Sequence, residues 1–339
     1  MGSVTLLLTG GTGFFGKALL RHWHAAGQAP TGMAVEVPKV LVLTRNPERF
    51  RREQPVLSAA PWLSLLQGDM MDPKSLAAAR PALEGITHVL HAATDSTVGP
   101  SLTPLQRFDQ ILEGTRHVLD LAVQSGARRF LLCSSGGVYG PPPEGVIHLE
   151  ESFHGLPDPL IPGNAYSIGK RAAEHLCSLY AEQYGLEVVI ARCFAFVGRD
   201  LPLDVHFAIG NFIRDALERP EITVAGDGTA LRSYLDQRDL AEWLTVMLER
   251  GAAGRAYNVG SDVAISVGEL AHLVGRTLAP QKPVRIVSST PNLSARSCYV
   301  PSIERAQQEL GLRVRVTLPR AIVDAAQRGA LRAPDAATP

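Results

Sequence analysis

An apolar run of strand length at residues 4–8 breaks at Thr9 into glycines at positions 10, 13 and 16, and a helical pattern resumes over 14–26. Strand, tight turn and helix in that order leave few architectures open. Glycines so spaced let the turn take backbone angles that a side chain forbids, bring main chain against a pyrophosphate, and let the helix pack close to the strand. The helix N-terminus then offers unpaired N–H groups and a positive dipole end to the anion. A plain strand-turn-helix with spare glycines would read the same way, so the rest of the chain must decide.

Strand patterns at 40–43, 63–67, 86–91, 129–134 and 186–191 alternate with helical ones at 74–80, 105–125 and 165–184. That alternation predicts a parallel sheet with helices on both faces and a dinucleotide at the carboxyl ends of the strands. The stretch 28–39, with Pro30, Gly32 and Pro38, reads as a surface insertion before the second strand. Beyond 195 the rhythm changes to helices at 206–218, 239–250 and 267–278 with short strands at 222–224 and 256–259. The expected architecture is α/β. A Rossmann-type doubly wound parallel sheet occupies 1–195, a smaller C-terminal α+β substrate-binding region occupies 196–330, a cleft lies between them, and a frayed tail follows at 331–339.

The 339 residues include 33 basic and 33 acidic ones, so no net field draws the chain to nucleic acid. Cys133, Cys177, Cys193 and Cys298 show neither metal-ligand nor disulfide-framework spacing, which suggests a reducing compartment. Residues 6–8 run straight into the glycine turn without a secretory pattern, and no apolar segment approaches the ~18 residues of a membrane span. A soluble cytoplasmic protein is expected. His22 and His24 diverge on a helix, His88 and His91 point to opposite faces of a strand, and no metal site is expected.

Tyr166 and Lys170 stand four apart in N-A-Y-S-I-G-K on a predicted helix, which puts phenol and ammonium on one face. A positive charge about 4 Å away, at an effective dielectric near 20, favours the phenolate by roughly 4 kcal/mol. That is about three pKa units, enough to bring a phenol of pKa near 10 toward neutrality, with desolvation opposing it. A solvated surface pair has the same spacing. The fifth strand ends in C-S-S-G-G-V-Y-G, which places Ser134 and Ser135 at a strand's carboxyl end, where a hydroxyl can bond a substrate oxygen or simply make a turn.

Taken in order, T-G-G-T-G-F-F-G at 9–16, Asp69 in Q-G-D-M, H-V-L-H-A-A at 88–93, G-T at 114–115, S-S-G-G-V-Y-G and Y-S-I-G-K resemble the extended short-chain dehydrogenases/reductases. The nucleotide-sugar epimerase/dehydratase group is the most similar. The likeness continues through A-R-C-F-A-F-V-G at 191–198, G-D-G-T-A-L-R-S-Y at 226–234 and Y-N-V-G at 257–260. The resemblance implies that Tyr166 is the acid–base, that Lys170 binds the nicotinamide ribose and lowers the tyrosine's pKa, and that Ser135 polarises the reacting oxygen. It implies cofactor contacts at Gly10, Gly13, Phe14, Phe15, Gly16, Asp69, Met70, Ala92 and Ala93. Ser134, Asn211 and Arg232 are the substrate-side candidates, Arg232 for the diphosphate, with Arg296 as a further guess. The long helices at 105–125 and 165–184 imply a homodimer through a four-helix bundle.

Departures from the family pattern narrow the reaction. Gly136 and Gly137 stand where the dehydratases carry an acidic pair, and neither moves a proton, so 4,6-dehydratase activity is not expected. The second strand ends in V-L-T-R-N-P, where Thr44 and Arg45 suit a 2'-phosphate and favour NADP(H) over NAD(H). Ala195 and Ile111 replace family asparagines, the first weakening the diphosphate site. The reading that follows is an NAD(P)-dependent oxidoreductase on a nucleotide-activated sugar, foremost a 4-ketoreductase, with a 4-epimerase as the alternative. A non-catalytic redox sensor and a reductase of hydrophobic ketones are the readings from other classes.

Overall fold

The computed structural model describes residues 4–27, 37–94, 102–205, 207–288 and 298–330, the side chains of 328–330 excepted. Most of the insertion read at 28–39, the start of the helix read at 206–218, Arg296 and the tail at 331–339 lie outside the described residues.

Seven parallel strands form the main sheet. They are β1 (Thr5–Thr9), β2 (Lys39–Thr44), β3 (Leu63–Gln67), β4 (His88–His91), β5 (Arg129–Ser135), β6 (Glu187–Cys193) and β7 (Arg255–Val259), in the order β7-β6-β5-β4-β1-β2-β3. Chain order runs outward from β1 on one side and from β4 on the other, so the two meet at a topological switch point. Helices cover both faces, and the inner strands are accordingly apolar throughout. All seven residues of β5 and four of the five in β1 are buried.

The covering helices include α1 (Phe14–Gly27), α2 (Pro104–Gln124) and α3 (Ala165–Tyr184). Thr103 and Gln106 close a capping box at the start of α2, with Pro104 at its first turn. Gly185, at φ 69°, ends α3 in the left-handed region. The α2 and α3 helices pack side by side: the side chain of Ile111 lies against Gly169, the small residue one position before Lys170.

One element differs from expectation. The strand at 255–259, assigned by its place in the sequence to the smaller region, is β7 and extends the main sheet beside β6. The helix α5 (Gln237–Arg250) follows it onto the sheet. The buried Arg129 of β5 donates from Nη1 to Glu187 and from Nη2 to the Met247 carbonyl near the end of α5. A cut at 195 therefore divides a continuous sheet. Alternation alone could not reveal this, because β7 enters through a long crossover rather than by the preceding strand-helix rhythm.

The smaller region holds α4 (Ala208–Glu218), α5 and α6 (Val267–Leu278). It also contributes to a four-stranded sheet of short strands, His148–Leu149, Cys298–Pro301, Leu231–Arg232 and Ile265–Ser266. Parallel pairing sets Arg232 beside Tyr299 in that sheet, and this pairing shapes the cavity.

Candidate active site

A cavity of about 1040 Å³ runs along the carboxyl ends of the main-sheet strands and under the smaller region. The glycine loop forms one end. Gly10 takes φ 73°, and a Cβ there would stand 2.6 Å from the Ala92 carbonyl carbon, so the β1 and β4 loops touch through backbone alone. Gly16 does not line the cavity. A Cβ on it would lie 2.2 Å from Gly11 Cα, so its part is to seat α1 against the turn. Gly13, Phe14 and Phe15 do line it, below the N-terminus of α1. The bare loop, the helix end and the adjoining cavity fit a dinucleotide pyrophosphate.

The loop is held from below by a buried histidine. Thr115 Oγ1 donates to the Ile111 carbonyl at 2.6 Å, so it accepts from His91 Nε2 at 3.2 Å. His91 Nδ1 is then left to accept from Thr9 Oγ1 at 2.7 Å, and Thr9 in turn accepts the Ala93 N–H at 3.4 Å. Burial first, then the charge on Lys170, lowers the His91 pKa to about 3. The sign follows directly. This imidazole is neutral in the fold and protonates near 6.5 when unfolded, so its contribution is complete above pH 6.5 and declines as pH falls toward 3. Between pH 6.5 and 5 the decline is roughly 2 kcal/mol. Urea unfolding at the two pH values is expected to show this loss, and His91→Gln is expected to remove that part of it. An equal loss in the variant would assign the pH dependence to other groups.

Arg45, Asp69 and Met70, the expected adenosine-side contacts, also line the cavity. Asp69 is also a turn acid: its Oδ1 accepts the Met71 N–H at 3.0 Å and its own N–H donates to Ser75. Arg45 is joined on the lining by Arg49, one turn into the helix Pro47–Glu53, which Asn46 caps through its side chain. The sequence shows Arg49 only as one of several surface arginines, and only the helix's placement brings it to the cavity.

The chemistry gathers at the other end. Ser134, Ser135, Tyr166, Lys170 and Arg232 all line the cavity there, and Ala92 and Ala93 line it beside the glycine loop. Tyr166 and Lys170 project from the first turns of α3, and Ser135 terminates β5. The nearby Ser135 hydroxyl lowers the phenol's pKa, but burial is the larger influence and holds it well above the ordinary value. The ammonium of Lys170 donates to Thr94 Oγ1 at 2.7 Å and to the Cys133 carbonyl at 2.8 Å. Burial lowers the Lys170 pKa. Thus the three-unit depression of Tyr166 expected from helical spacing is not realised in the protein alone: desolvation dominates, and the ammonium is bonded to Thr94 and to the Cys133 carbonyl.

Ser134 lines the cavity, and its hydroxyl donates to Glu174 Oε1 at 2.5 Å. Asn211 is absent from the cavity lining. The first turn of α4 and the residue before it supply Phe207, Ala208 and Ile209 there, whereas Asn211 accepts from Arg214 at 3.2 Å.

Glu174 stands one turn beyond Lys170, and Arg192 of β6 grips it through three hydrogen bonds of 2.8–3.2 Å. The Arg192 guanidinium lies 4.8 Å from the Tyr139 ring centre, and the Tyr139 hydroxyl donates to Asn258 of β7 at 2.7 Å. This network fixes α3 to the sheet edge behind the serine. Tyr299, Arg107 and Gln110 also line the cavity without any motif having announced them. Each comes from a segment whose sequence carries no local pattern for a site.

Among the described residues no helix is long and apolar enough to cross a membrane. The sequence is 30% identical over 324 residues to UDP-glucuronic acid decarboxylase 1 of Arabidopsis thaliana, covering 94% of this chain and 69% of that protein. It is 28% identical over 316 residues to dTDP-glucose 4,6-dehydratase of Streptomyces griseus, covering 92% and 90%. The fold matches the crystal structure of the Streptomyces venezuelae dTDP-glucose 4,6-dehydratase with NAD bound, at a TM-score of 0.78, 26% identity and 97% and 98% coverage. A family model matches residues 6–260, a span that contains the glycine loop, Ser135, Tyr166, Lys170 and Arg232. With sequence, fold and site geometry in agreement, the chain belongs to the NAD dependent epimerase/dehydratase family.

Proposed function

We propose that this chain is an NAD(P)-dependent oxidoreductase that acts at C4 of the hexose of a nucleotide sugar, in the direction of 4-keto reduction. The observation that carries the reading is the convergence of Ser135, Tyr166 and Lys170 on one wall of the cavity that the glycine loop also lines. Relatives named for UDP-glucuronic acid and dTDP-glucose support the substrate class.

In this scheme the nicotinamide supplies the hydride when bound. Ser135 donates to the carbonyl oxygen and stabilises the charge that grows there. Tyr166 delivers the proton that turns the alkoxide into a hydroxyl. Lys170 holds the nicotinamide ribose, and Arg232, which also lines the cavity, meets the diphosphate. Arg45 and Arg49 suit a 2'-phosphate, which favours NADP(H). A homodimer through the exposed faces of α2 and α3 completes the reading, and sedimentation at micromolar concentration tests it, a monomer counting against it.

Elimination of water lies outside this reading, although one relative is named dTDP-glucose 4,6-dehydratase. Gly136 and Gly137 bring no acid, and a Cβ on Gly136 would lie 2.6–2.8 Å from ring atoms of Phe194. An acid at 136 would need that ring to move.

The test is incubation with NADPH or NADH and a panel of nucleotide sugars and their 4-keto forms, with reduced-nicotinamide absorbance and product NMR as readouts. Net oxidation of NADPH with a new C4 hydroxyl is the expected result. Interconversion of C4 epimers without net cofactor use would instead identify a 4-epimerase. Cofactor binding with no product from any sugar would sink the oxidoreductase reading.

A further inference from the structure

A second phenol stands at the reacting end of the cavity. Tyr299 shares a wall with Tyr166 and Ser135. Its Oη lies 3.3 Å from Ser135 Oγ and 3.3 Å from the Cys193 carbonyl oxygen. Its ring rests against Phe194 with centroids 4.6 Å apart, so the hydroxyl is held rather than swinging. Burial, the largest influence, pushes this phenol up to about 12, and it therefore keeps its proton at neutral pH.

A serine hydroxyl has one proton and two lone pairs. The Gly137 N–H fills one lone pair of Ser135 at 3.1 Å. If Tyr299 accepts from Ser135, the serine's proton is directed away from the substrate. If Tyr299 donates, both lone pairs are filled and the serine's proton is free only for Tyr166 and the reacting oxygen. We propose that Tyr299 is a positioning residue: it donates its phenolic proton to Ser135 Oγ and so commits the serine's own proton to the reacting oxygen. This rests on the oxidoreductase reading above. The Cys193 carbonyl, also 3.3 Å away, is the competing acceptor for the same proton.

Two measurements test it. With a 4-keto nucleotide sugar, Tyr299→Phe keeps the ring on Phe194 and is expected to lower kcat about tenfold, with KM for sugar and cofactor within about twofold. In a Ser135→Ala background the same substitution is expected to have no further effect. Equal losses in both backgrounds would mean that the Tyr299 hydroxyl acts independently of Ser135, which overturns the proposal. Neutron diffraction from deuterium-exchanged crystals without substrate reads the proton itself. A deuteron on Tyr299 Oη directed at Ser135 Oγ supports the assignment, and one directed at Cys193, with Ser135 donating to Tyr299, overturns it. That second arm needs no turnover. A chain inactive on every nucleotide sugar would sink the oxidoreductase reading, while the proton assignment would still be decided.

Discussion

Tyr166→Phe is expected to lower turnover of a 4-keto nucleotide sugar about 10³-fold, within the ~10²–10⁴ range of a positioned acid–base, while cofactor affinity changes by no more than about threefold. The asymmetry follows from where the phenol sits. The phenol lines the cavity with Ser135 and Lys170 at the proposed reacting end, whereas the glycine loop, Arg45 and Asp69 that would hold the dinucleotide line it elsewhere. Loss of one hydroxyl removes the proton source and leaves the ring in place. Burial raises the phenol's pKa, so in the reductive direction the acid is protonated throughout the neutral range. The kcat profile should therefore stay flat through neutrality and fall only on the alkaline side. Rapid-quench assays of wild type and variant at matched cofactor saturation provide the check. A variant that retained half the wild-type kcat would remove Tyr166 from the chemistry.

Arg192→Met is expected to destabilise the fold by about 3–5 kcal/mol, a large share of the roughly 5–15 kcal/mol that holds a domain together. Arg192 and Glu174 are both largely buried, at 17% and 12% side-chain exposure. Removal of the guanidinium would leave the Glu174 carboxylate with Ser134 as its hydrogen-bond donor, in surroundings that water cannot reach freely. Pairwise replacement should be far milder, because two apolar side chains of similar volume leave no unpaired charge. Arg192→Met combined with Glu174→Met is thus expected to recover most of the loss. Urea unfolding of wild type, the single variant and the pair separates these outcomes, and a double variant as unstable as the single one would refute the account.

Much of this site was legible because its chemistry lies in short, contiguous motifs. The turn at 9–16, the serines at the end of β5 and the Tyr166/Lys170 pair each announce themselves within a few residues, and strands such as Leu63–Gln67 and helices such as Ala165–Tyr184 and Val267–Leu278 fall where periodicity puts them. What was not legible depends on distant contacts. Tyr299 reaches Ser135 because Cys298–Pro301 pairs with Leu231–Arg232, a register that no local pattern states. Ser134 and Ser135 are adjacent, alike in sequence and both on the cavity lining, but the hydroxyl of one is bonded to Glu174 and that of the other lies against Tyr299. The direction of the Tyr166 shift was misjudged for a similar reason. Spacing along a helix gives the neighbour's charge, but the depth of burial is set by everything packed around it.

The late entry of β7 has a consequence for how this chain can be made and cut. Until residues 255–259 emerge during synthesis, β6 has no neighbour on its outer side, and its backbone N–H and C=O groups on that side lie open to any passing strand. A fragment ending at 195 would carry the glycine loop, the serine and the tyrosine, yet keep that raw border permanently. Such a fragment should self-associate on the way out of the ribosome rather than serve as a stand-alone nucleotide binder.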